Sequence, residues 1–404
     1  MKNWDKIIRA YGLKNALSHD GVALQGPVIS SLFHEGLEKK EVGKYVKRII
    51  EILLEINSLS KEEQEKEFKK LEKEVSERPA REGLPELPDV SKTGVVMRFA
   101  PAASGPLHIG HIISNMVNSL YVKKYGGKFY VRIEDTNPEK VFADCYKSFK
   151  VDCDWIFGNV SEYIIQSDRM KIYYDYAEKL IKKKAAYVCT CSAEKFKKLA
   201  ELKKDCPCRK NSLKENIELW NKMLDKSGFK EGDAVVRFKT PEKYKGMKNP
   251  NPAMRDFPLA RINEHEHPRQ KKKYKVWPLM NLAVAVDDIE YKMTHIIRGK
   301  EHMDNAKRHK MIFDVFKKKY PWTAFMGRIK FKDIPLSKRK IVASIESGEY
   351  EGWEDLRLPT LFALRKRGYK PSAFAKLAEH QGLSEVDKVM DSKEYFSLLD
   401  GFNK

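Results

Sequence analysis

The stretch Val95-Val-Met-Arg-Phe-Ala-Pro-Ala-Ala-Ser-Gly-Pro-Leu-His-Ile-Gly-His111 places an apolar run, a turn and the start of a helix in immediate succession. Val95 to Phe99 predicts a buried strand, and the Ser-Gly-Pro triplet at 104–106 has the chemistry of a turn. From Ile109 to Tyr125 apolar residues recur at helical spacing, and Gly126 marks the end of the helix. The segment therefore predicts a strand-loop-helix unit.

The first turn of this helix carries two histidines, His108 and His111, with Gly110 between them. A helix start exposes unpaired backbone N–H groups and a partial positive charge, which suit the phosphates of a nucleotide such as ATP. Residues three apart share a helix face, and a glycine lets a ligand approach the backbone. The pattern favours contact with phosphate or adenine, whereas an isolated histidine pair at a helix start more often only caps and packs.

The run from Arg98 to His111 resembles the HIGH signature of class I aminoacyl-tRNA synthetases, and its Arg-Phe-Ala-Pro lead is similar to their glutamyl/glutaminyl branch. The likeness extends from the first helices to nearly the last residue, and it is closest to the archaeal-type glutamyl-tRNA synthetases. Further landmarks follow in the order of that family: Arg132-Ile-Glu-Asp-Thr136, Gln166-Ser-Asp-Arg169, Asn251-Pro-Ala-Met-Arg-Asp256, Val286-Asp-Asp288, Thr294-His-Ile-Ile-Arg-Gly299 and Leu336-Ser-Lys-Arg-Lys340.

Strand-like runs at Val95–Phe99, Lys128–Ile133, Tyr163–Gln166 and Lys292–Ile297 alternate with helical segments, which predicts an α/β fold with a doubly wound parallel sheet. The resemblance implies that the sheet is Rossmann-like and carries an inserted acceptor-stem-binding domain. We expect an N-terminal helical region and linker at 1–92, the first half of the catalytic domain at 93–185, the insertion at 186–274, the second half at 275–325, and a lysine loop with a helical junction at 326–404.

The first region is rich in lysine and glutamate and has helical periodicity. Val42 to Leu59 predicts one helix, and Ser60 with Glu63 three residues later predicts the capping box of a second. Three prolines interrupt the segment Arg78-Pro-Ala-Arg-Glu-Gly-Leu-Pro-Glu-Leu-Pro88, which predicts a linker.

Composition agrees with a globular protein that binds a polyanion. The 404 residues are 42% hydrophobic, which allows roughly two to four domains with sizeable cores. No apolar run approaches the roughly 18 to 20 residues of a membrane helix, and the charged N-terminus lacks a signal-peptide pattern, so we expect a cytoplasmic protein. A formal net charge of +21 favours nucleic acid as the partner, although abundant lysine also describes an ordinary solvated surface.

Four cysteines form two close pairs, Cys189 with Cys191 and Cys206 with Cys208. In a reducing compartment a disulfide framework is not expected, whereas four thiolates meet the tetrahedral demand of zinc. We therefore predict a structural zinc site, with buried free cysteines as the alternative. Cys145 and Cys153 have no such partners and read as small core residues.

The resemblance implies a reaction in which ATP activates glutamate to glutamyl-adenylate, and the glutamyl group passes to the 3′ end of tRNA with release of AMP and diphosphate. His108 and His111 then offer donors to the phosphates, and Lys338 resembles the second lysine of the KMSKS loop. Mg²⁺ is expected to bridge phosphate oxygens. The implied catalytic residues are His108, His111 and Lys338, and the implied ATP-binding residues are these three with Gly110, Leu336, Ser337 and Arg339.

The resemblance also assigns the amino-acid pocket. Arg298 stands where the family carries arginine for glutamate and an uncharged residue for glutamine, and a guanidinium fork suits a carboxylate. Arg98 matches an arginine that helps to hold glutamate, and Glu134 and Thr136 match positions near its α-amino group. Trp277 and Asn281 are the other predicted glutamate contacts.

Five positions depart from the pattern of the family. Ala102-Ala103 replaces Asn-Pro in the pocket loop, Trp277 replaces a tyrosine, Ile289 replaces a histidine, and Pro335 replaces the first lysine of the lysine loop. An indole can only donate a hydrogen bond, whereas a tyrosine hydroxyl can also accept one. Ala102, Ala103 and Trp277 keep open a rival interpretation, in which the chain is a non-catalytic tRNA-binding paralogue, whereas the intact histidine pair, Lys338 and Arg298 oppose it. Ligation of glutamine is disfavoured by Arg298.

After Ser347-Gly-Glu-Tyr-Glu-Gly-Trp353, which resembles the helical junction of the family, about fifty residues remain. From this length we expect the anticodon-binding β-barrel to be absent. Recognition of tRNA-Glu, with tRNA-Gln as a further candidate, would then rest on the acceptor end and the helical regions, or on a separate chain that carries the anticodon-binding part.

Overall fold

The computed structural model describes residues 3–76, 83–334, 336 and 338–404, and for Lys39, Lys338 and Arg339 it describes the main chain alone. The chain divides into two compact units, Met1–Ala80 and Arg81–Lys404. Part of the predicted linker, residues 78–82, lies outside the described residues, and the domain boundaries given above stay predictions. Among the described residues no helix is both long enough and apolar enough to span a lipid bilayer.

The first unit is helical, as its periodicity predicts. Its helices pack their apolar faces into one core, and both bonds of the predicted capping box are present: Ser60 N–H donates to Glu63 Oε2 (2.8 Å) and Glu63 N–H donates to Ser60 Oγ (3.3 Å). The helices are α1 (Trp4–Leu17), α2 (Gln25–His34), α3 (Val42–Asn57) and α4 (Lys61–Leu71).

The second unit begins with the predicted strand-loop-helix segment, which opens a three-stranded parallel sheet. Val95 pairs with Gly127, where a Cβ would lie 2.0 Å from the Val95 carbonyl oxygen and φ is +109°, so this register requires glycine. The sheet and its helices are β1 (Val95–Phe99), α5 (Ile109–Tyr125), β2 (Gly127–Ile133), α6 (Cys145–Phe157), β3 (Glu162–Ile165) and α7 (Met170–Lys182).

The next segment forms a four-stranded antiparallel sheet in the order β4-β5-β6-β7, with two helices between its first strands. Its core is continuous with residues of α7 and of the helices that follow the sheet. The elements are β4 (Ala186–Cys189), α8 (Ala193–Glu201), α9 (Leu213–Leu224), β5 (Val235–Phe238), β6 (Pro258–Ile262) and β7 (Val276–Pro278).

The chain then returns to the parallel layer through α10 (Met280–Glu290), β8 (His295–Gly299), α11 (Met303–Val315) and β9 (Trp322–Met326). β8 pairs with β9 in parallel, and Thr294 joins this pair to β1, because its N–H donates to the Val96 carbonyl (3.0 Å) and its Oγ1 accepts the Val96 N–H (2.8 Å). The predicted start of this strand, Lys292, is wrong: its φ of +53° belongs to the turn after α10.

The last part combines a short parallel pair with helices, of which α14 packs against α5 and α6. Its elements are β10 (Ile329–Phe331), α12 (Lys338–Glu346), α13 (Leu361–Lys366), α14 (Pro371–Gln381), β11 (Lys388–Met390) and α15 (Ser392–Phe402). The predicted α/β class with parallel sheets and helical regions at both ends is confirmed.

Candidate functional site

A cavity of about 1140 Å³ opens at the carboxyl ends of β1, β8 and β9, which is where open α/β sheets place their ligands. Its wall continues along the start of α5, through β10 and into α12. Of the site residues predicted from the sequence, the cavity brings together Arg98, His108, Gly110, His111, Glu134, Arg298 and Leu336. Thr136, Trp277 and Asn281 are not among the residues that line it.

His108 and His111 cap the N-terminus of α5 with their own side chains. Nδ1 of His108 accepts the Gly110 N–H and Nδ1 of His111 accepts the His108 N–H, both at 3.2 Å, and the ring centroids are 3.8 Å apart. A ring nitrogen that accepts a hydrogen bond carries no proton, so each neutral imidazole holds its proton on Nε2.

Burial keeps this pair uncharged. It lowers the pKa of His111 to about 4, and burial together with the neighbouring His111 lowers the pKa of His108 well below its ordinary value. Both rings line the cavity. At neutral pH the start of α5 therefore offers two neutral Nε2–H donors.

The backbone around this pair is fixed by a distant segment. Ile109 N–H donates to the Pro359 carbonyl and Leu361 N–H donates to the Leu107 carbonyl, both at 2.9 Å. A Cβ on Gly110 would lie 3.0 Å from Cε1 of His108, so a larger residue would crowd that ring. The histidine loop is thus held by residues that precede and begin α13.

Arg298, at the end of β8, has no hydrogen-bonded anion among the described residues, although the carboxylates of Glu134 and Asp288 act on it at longer range. Its Nε and Nη1 are closed off from solvent and have no hydrogen-bond partner among the described residues. Burial, followed by repulsion from Arg98, lowers the pKa of Arg298 to about 10, so the group is still charged at neutral pH. A buried guanidinium is costly unless an anion pairs with it, and the cavity is where such an anion can enter.

Arg98, in contrast, is already paired. Its Nε and Nη2 donate to the two oxygens of Asp288 at 2.6 and 3.0 Å, and Arg132 Nη1 donates to the same carboxylate at 2.7 Å. Burial would raise the pKa of Asp288, but the two arginines hold it below its ordinary value. The fork of Arg98 is therefore occupied, and Nη1 is the donor that it can offer a ligand.

Glu134 follows β2 and lines the cavity, where the loop after β1 hydrogen-bonds to its main chain. Its N–H donates to the Pro101 carbonyl (2.9 Å) and its carbonyl accepts the Ala103 N–H (3.0 Å), while Oε1 accepts from Arg132 Nη2 (3.2 Å). Ala102 also lines the cavity at this point. The structure thus places a carboxylate near the two arginines, Arg98 and Arg298.

Trp277 and Asn281 are buried, and neither lines the cavity. The indole of Trp277 stacks on the ring of His267 with centroids 4.9 Å apart, and its Nε1 has no partner among the described residues. Oδ1 of Asn281 is likewise closed off and unpaired within the described part of the chain. Thr136 is half-buried after β2.

Part of the lysine loop cannot be placed against the cavity, because Pro335, Ser337 and the side chains of Lys338 and Arg339 lie outside the described residues. Lys340, from the same loop, does line the cavity, as do Met280, Glu301 and His302, none of which was predicted. Glu301 and His302 follow Arg298 within four residues, but no local pattern indicates that the chain keeps them on the cavity side.

The four paired cysteines do come together, at the end of β4 and in the turn before α9. Sγ of Cys206 lies 3.5 Å from that of Cys189, Sγ of Cys191 lies 3.7 Å from Cys206 and 3.8 Å from Cys208, and all four sulfurs lie within 4.8 Å of one another. Tetrahedral zinc with Zn–S bonds of about 2.3 Å would separate its sulfurs by about 3.8 Å. The donor set therefore fits zinc.

Comparison with known proteins shows the family to which the chain is similar. A family model described as tRNA synthetases class I (E and Q), catalytic domain, matches residues 94–400. The chain is 42% identical over 405 residues to a glutamate–tRNA ligase of Methanobrevibacter smithii, covering 100% of this chain and 71% of the relative, and 42% identical over 395 residues to that of Methanocaldococcus jannaschii, covering 98% and 70%.

Among solved structures, a glutamate tRNA ligase from Elizabethkingia meningosepticum, crystallised in complex with its amino acid, has a similar fold. The TM-score is 0.52 at 19% identity, over 75% of this chain and 68% of that one. A match over most of the chain and relatives at about 40% identity settle the family. This chain belongs to the class I tRNA synthetases of the E and Q family.

Proposed function

We propose that this chain is a glutamate–tRNA ligase, which uses ATP to activate L-glutamate and joins it to the 3′ end of tRNA. The observation that carries the proposal is Arg298, a cation with Nε and Nη1 closed off and unpaired among the described residues, on the wall of the cavity that also holds the histidine pair. An acidic amino acid supplies the missing anion, and the relatives named above are glutamate–tRNA ligases.

In the first step an oxygen of the glutamate α-carboxylate attacks the α-phosphorus of ATP, and diphosphate leaves. Negative charge on the phosphate oxygens is met by the Nε2–H donors of His108 and His111, which need no proton change to act. Bound Mg²⁺ would offset the charge of the phosphates. Lys338, with Ser337, Arg339 and Leu336, is the proposed phosphate-side contact of the lysine loop.

In the second step a hydroxyl at the tRNA 3′ end attacks the activated carbonyl carbon, and AMP leaves. Arg298 and Glu134 line the same cavity and carry opposite charges. Arg298 therefore pairs with the side-chain carboxylate of glutamate, and Glu134 faces its α-ammonium group. Arg98 contributes through its remaining Nη1, and Thr136, Trp277 and Asn281 complete the predicted pocket. Since these last three do not line the cavity, their contact with glutamate would require a shift of side chains on binding.

The RNA and the metal complete the proposal. The substrate is tRNA-Glu, with tRNA-Gln as a further candidate, in the cytoplasm where tRNA and ATP are available; the net charge of +21 favours such a partner.

A structural zinc ion is held by Cys189, Cys191, Cys206 and Cys208, whose spacing supports it. Acylation of transcripts with altered anticodons tests whether this chain reads the anticodon or leaves that to a separate chain.

The decisive experiment is glutamate-dependent ATP/diphosphate exchange with tRNA present, comparing wild type with Arg298→Ala. Removing the cation should lower kcat/KM for glutamate by about 100-fold, because the acid then loses its charged partner. Arg48→Ala, an exposed arginine on α3, is the matched control. If wild type shows no exchange above Lys338→Ala, the chain is a non-catalytic paralogue; if glutamine is activated as well as glutamate, the role of Arg298 is wrong.

A further inference from the structure

His302 lines the cavity, and no sequence pattern predicted a role for it. It lies four residues after Arg298, at the junction of β8 and α11, and its ring is half-buried on the cavity wall. Nδ1 lies 3.1 Å from Nδ2 of Asn305, whereas Nε2 has no hydrogen-bond partner among the described residues. One edge of the imidazole is thus held by protein, and the other is available to a ligand.

The hydrogen bonds behind the ring determine which nitrogen carries the proton. Arg308 Nη1 donates to Oδ1 of Asn305 at 2.9 Å, and a guanidinium can only donate, so the amide oxygen must face Arg308. The amide nitrogen then faces His302 and Sδ of Met280 (3.4 Å). An NH₂ group can only donate, so Nδ1 of His302 accepts and the proton of the neutral ring sits on Nε2.

This arrangement is anchored outside the parallel layer. Nε of Arg308 donates to the Ala253 carbonyl at 2.6 Å, and its guanidinium lies over the ring of Phe257 at 5.6 Å. Both residues belong to the segment that leads into β6. The orientation of Asn305, and through it the tautomer of His302, therefore depends on a contact between α11 and the inserted sheet.

The ring is also uncharged. Burial, with smaller contributions from Arg298 and Arg98, lowers the pKa of His302 to about 4. His302 follows Arg298 by four residues and both line the cavity, so His302 lies at the Arg298 end of it. A neutral donor there adds a hydrogen bond to an anion without adding a further positive charge to the two arginines.

We propose that His302 donates its Nε2–H to the carboxylate of the amino-acid substrate that Arg298 pairs with, and so helps to determine specificity; Asn305 and Arg308 are its positioning residues. The inference rests on the proposed function, since it requires an acidic amino acid in this cavity. A phosphate oxygen could accept the same bond, but His302 and Arg298 line the cavity four residues apart, whereas the donors we assign to phosphate are His108 and His111 at the start of α5.

The test compares His302→Leu, which removes the donor, with His302→Gln, whose amide can place an N–H near the position of Nε2. We expect KM for glutamate to rise about tenfold in the leucine variant and to be largely recovered by glutamine, with KM for ATP unchanged in both. A rise in KM for ATP alone would assign the bond to phosphate and overturn the proposal, as would unchanged constants in both variants.

A second measurement addresses the tautomer without using activity. In protein labelled with ¹⁵N-histidine, two-bond ¹H–¹⁵N spectra should show His302 protonated on Nε2, with the signal assigned by its loss in His302→Gln. Asn305→Asp presents only acceptors, so the proton should move to Nδ1 and glutamate binding should weaken; the exposed Asn221→Asp on α9 should change neither. An Nδ1–H ring in the wild type would overturn the proposal.

Failure of this inference and failure of the proposed function are separable. If Arg298→Ala loses glutamate binding while His302→Leu keeps it, only the role of His302 is wrong. If neither substitution affects glutamate, the acidic substrate itself is wrong.

Discussion

At the scale of single residues, the histidine pair shows how one side chain serves both structure and chemistry. Nδ1 of each ring satisfies a backbone N–H at the start of α5, which a serine or aspartate would also do. What the imidazole adds is a second nitrogen, whose proton points away from the backbone. The capping interpretation and the ligand interpretation of this motif are therefore compatible.

The buried state of His111 predicts a pH dependence of stability. Its pKa is about 4 in the folded chain, against an ordinary value near 6.5, so between these values the unfolded chain binds more protons. Stability present above pH 6.5 should be lost as the pH falls toward 4, by about 3 kcal/mol for this group. His111→Asn should flatten the dependence of the free energy of unfolding on pH, measured by denaturant titration.

The matched control is His380→Asn, an exposed histidine on α14. It should leave the pH profile of the wild type in place. Identical profiles for the wild type and His111→Asn would show that His111 is not held neutral in the folded chain.

At the scale of elements, α13 acts on the site although it supplies no predicted ligand. Its N-cap, Thr360, is buried, and Oγ1 accepts the Ala363 N–H at 3.2 Å. The residues on either side, Pro359 and Leu361, bond the backbone of the histidine loop at Ile109 and Leu107. The start of α13 therefore helps to fix the position of the two imidazoles.

Thr360→Val replaces the capping hydroxyl by a methyl group of similar size. We expect a loss of about 1 kcal/mol in the free energy of unfolding, because one buried N–H at the start of α13 loses its acceptor. KM for ATP should rise as well, since the loop that carries His108 is less well held. Thr360→Ser keeps the hydroxyl and should behave as wild type; a stable Thr360→Val with unchanged KM for ATP would refute the coupling.

At the scale of the whole molecule, the cysteine cluster joins parts of the insertion that are separated along the chain. Cys189 and Cys191 lie at the end of β4, whereas Cys206 and Cys208 come after α8. A bound ion would therefore join the two ends of the segment that contains α8. The small core beneath the cluster contains Tyr187, Phe196 and Met247. A bound metal would thus stabilise this segment, which has only a small apolar core of its own.

We predict about one zinc ion per chain by elemental analysis. Removing it with a chelator, or by Cys206→Ser, should expose residues 190–210 to limited proteolysis, because the four thiolates no longer share a ligand. Cys145→Ala removes a buried cysteine that lies apart from the cluster and should keep the metal. Protein that holds no zinc after purification in zinc-containing medium would contradict the assignment.

The sequence by itself determined the local features. The strand-loop-helix unit, the capping box at Ser60 and the helix ending at Gly126 follow from spacing among neighbours, and their bounds agree with the structure within a residue or two. Ordered motifs indicated the family, and paired cysteines indicated a cluster. The strand Trp322–Met326 was missed, because five residues beside one other strand have little periodicity of their own.

The tertiary structure alone decided which charges are free. Arg98 and Asp288 are 190 residues apart, and only the fold makes them a pair, whereas Nε and Nη1 of Arg298 have no partner among the described residues. In the same way, a chain of hydrogen bonds links Ala253, before β6, to Arg308 and Asn305 on α11 and then to His302. Sequence patterns report what neighbours along the chain can form, whereas the charge and tautomer of a side chain are set by groups that meet only after folding.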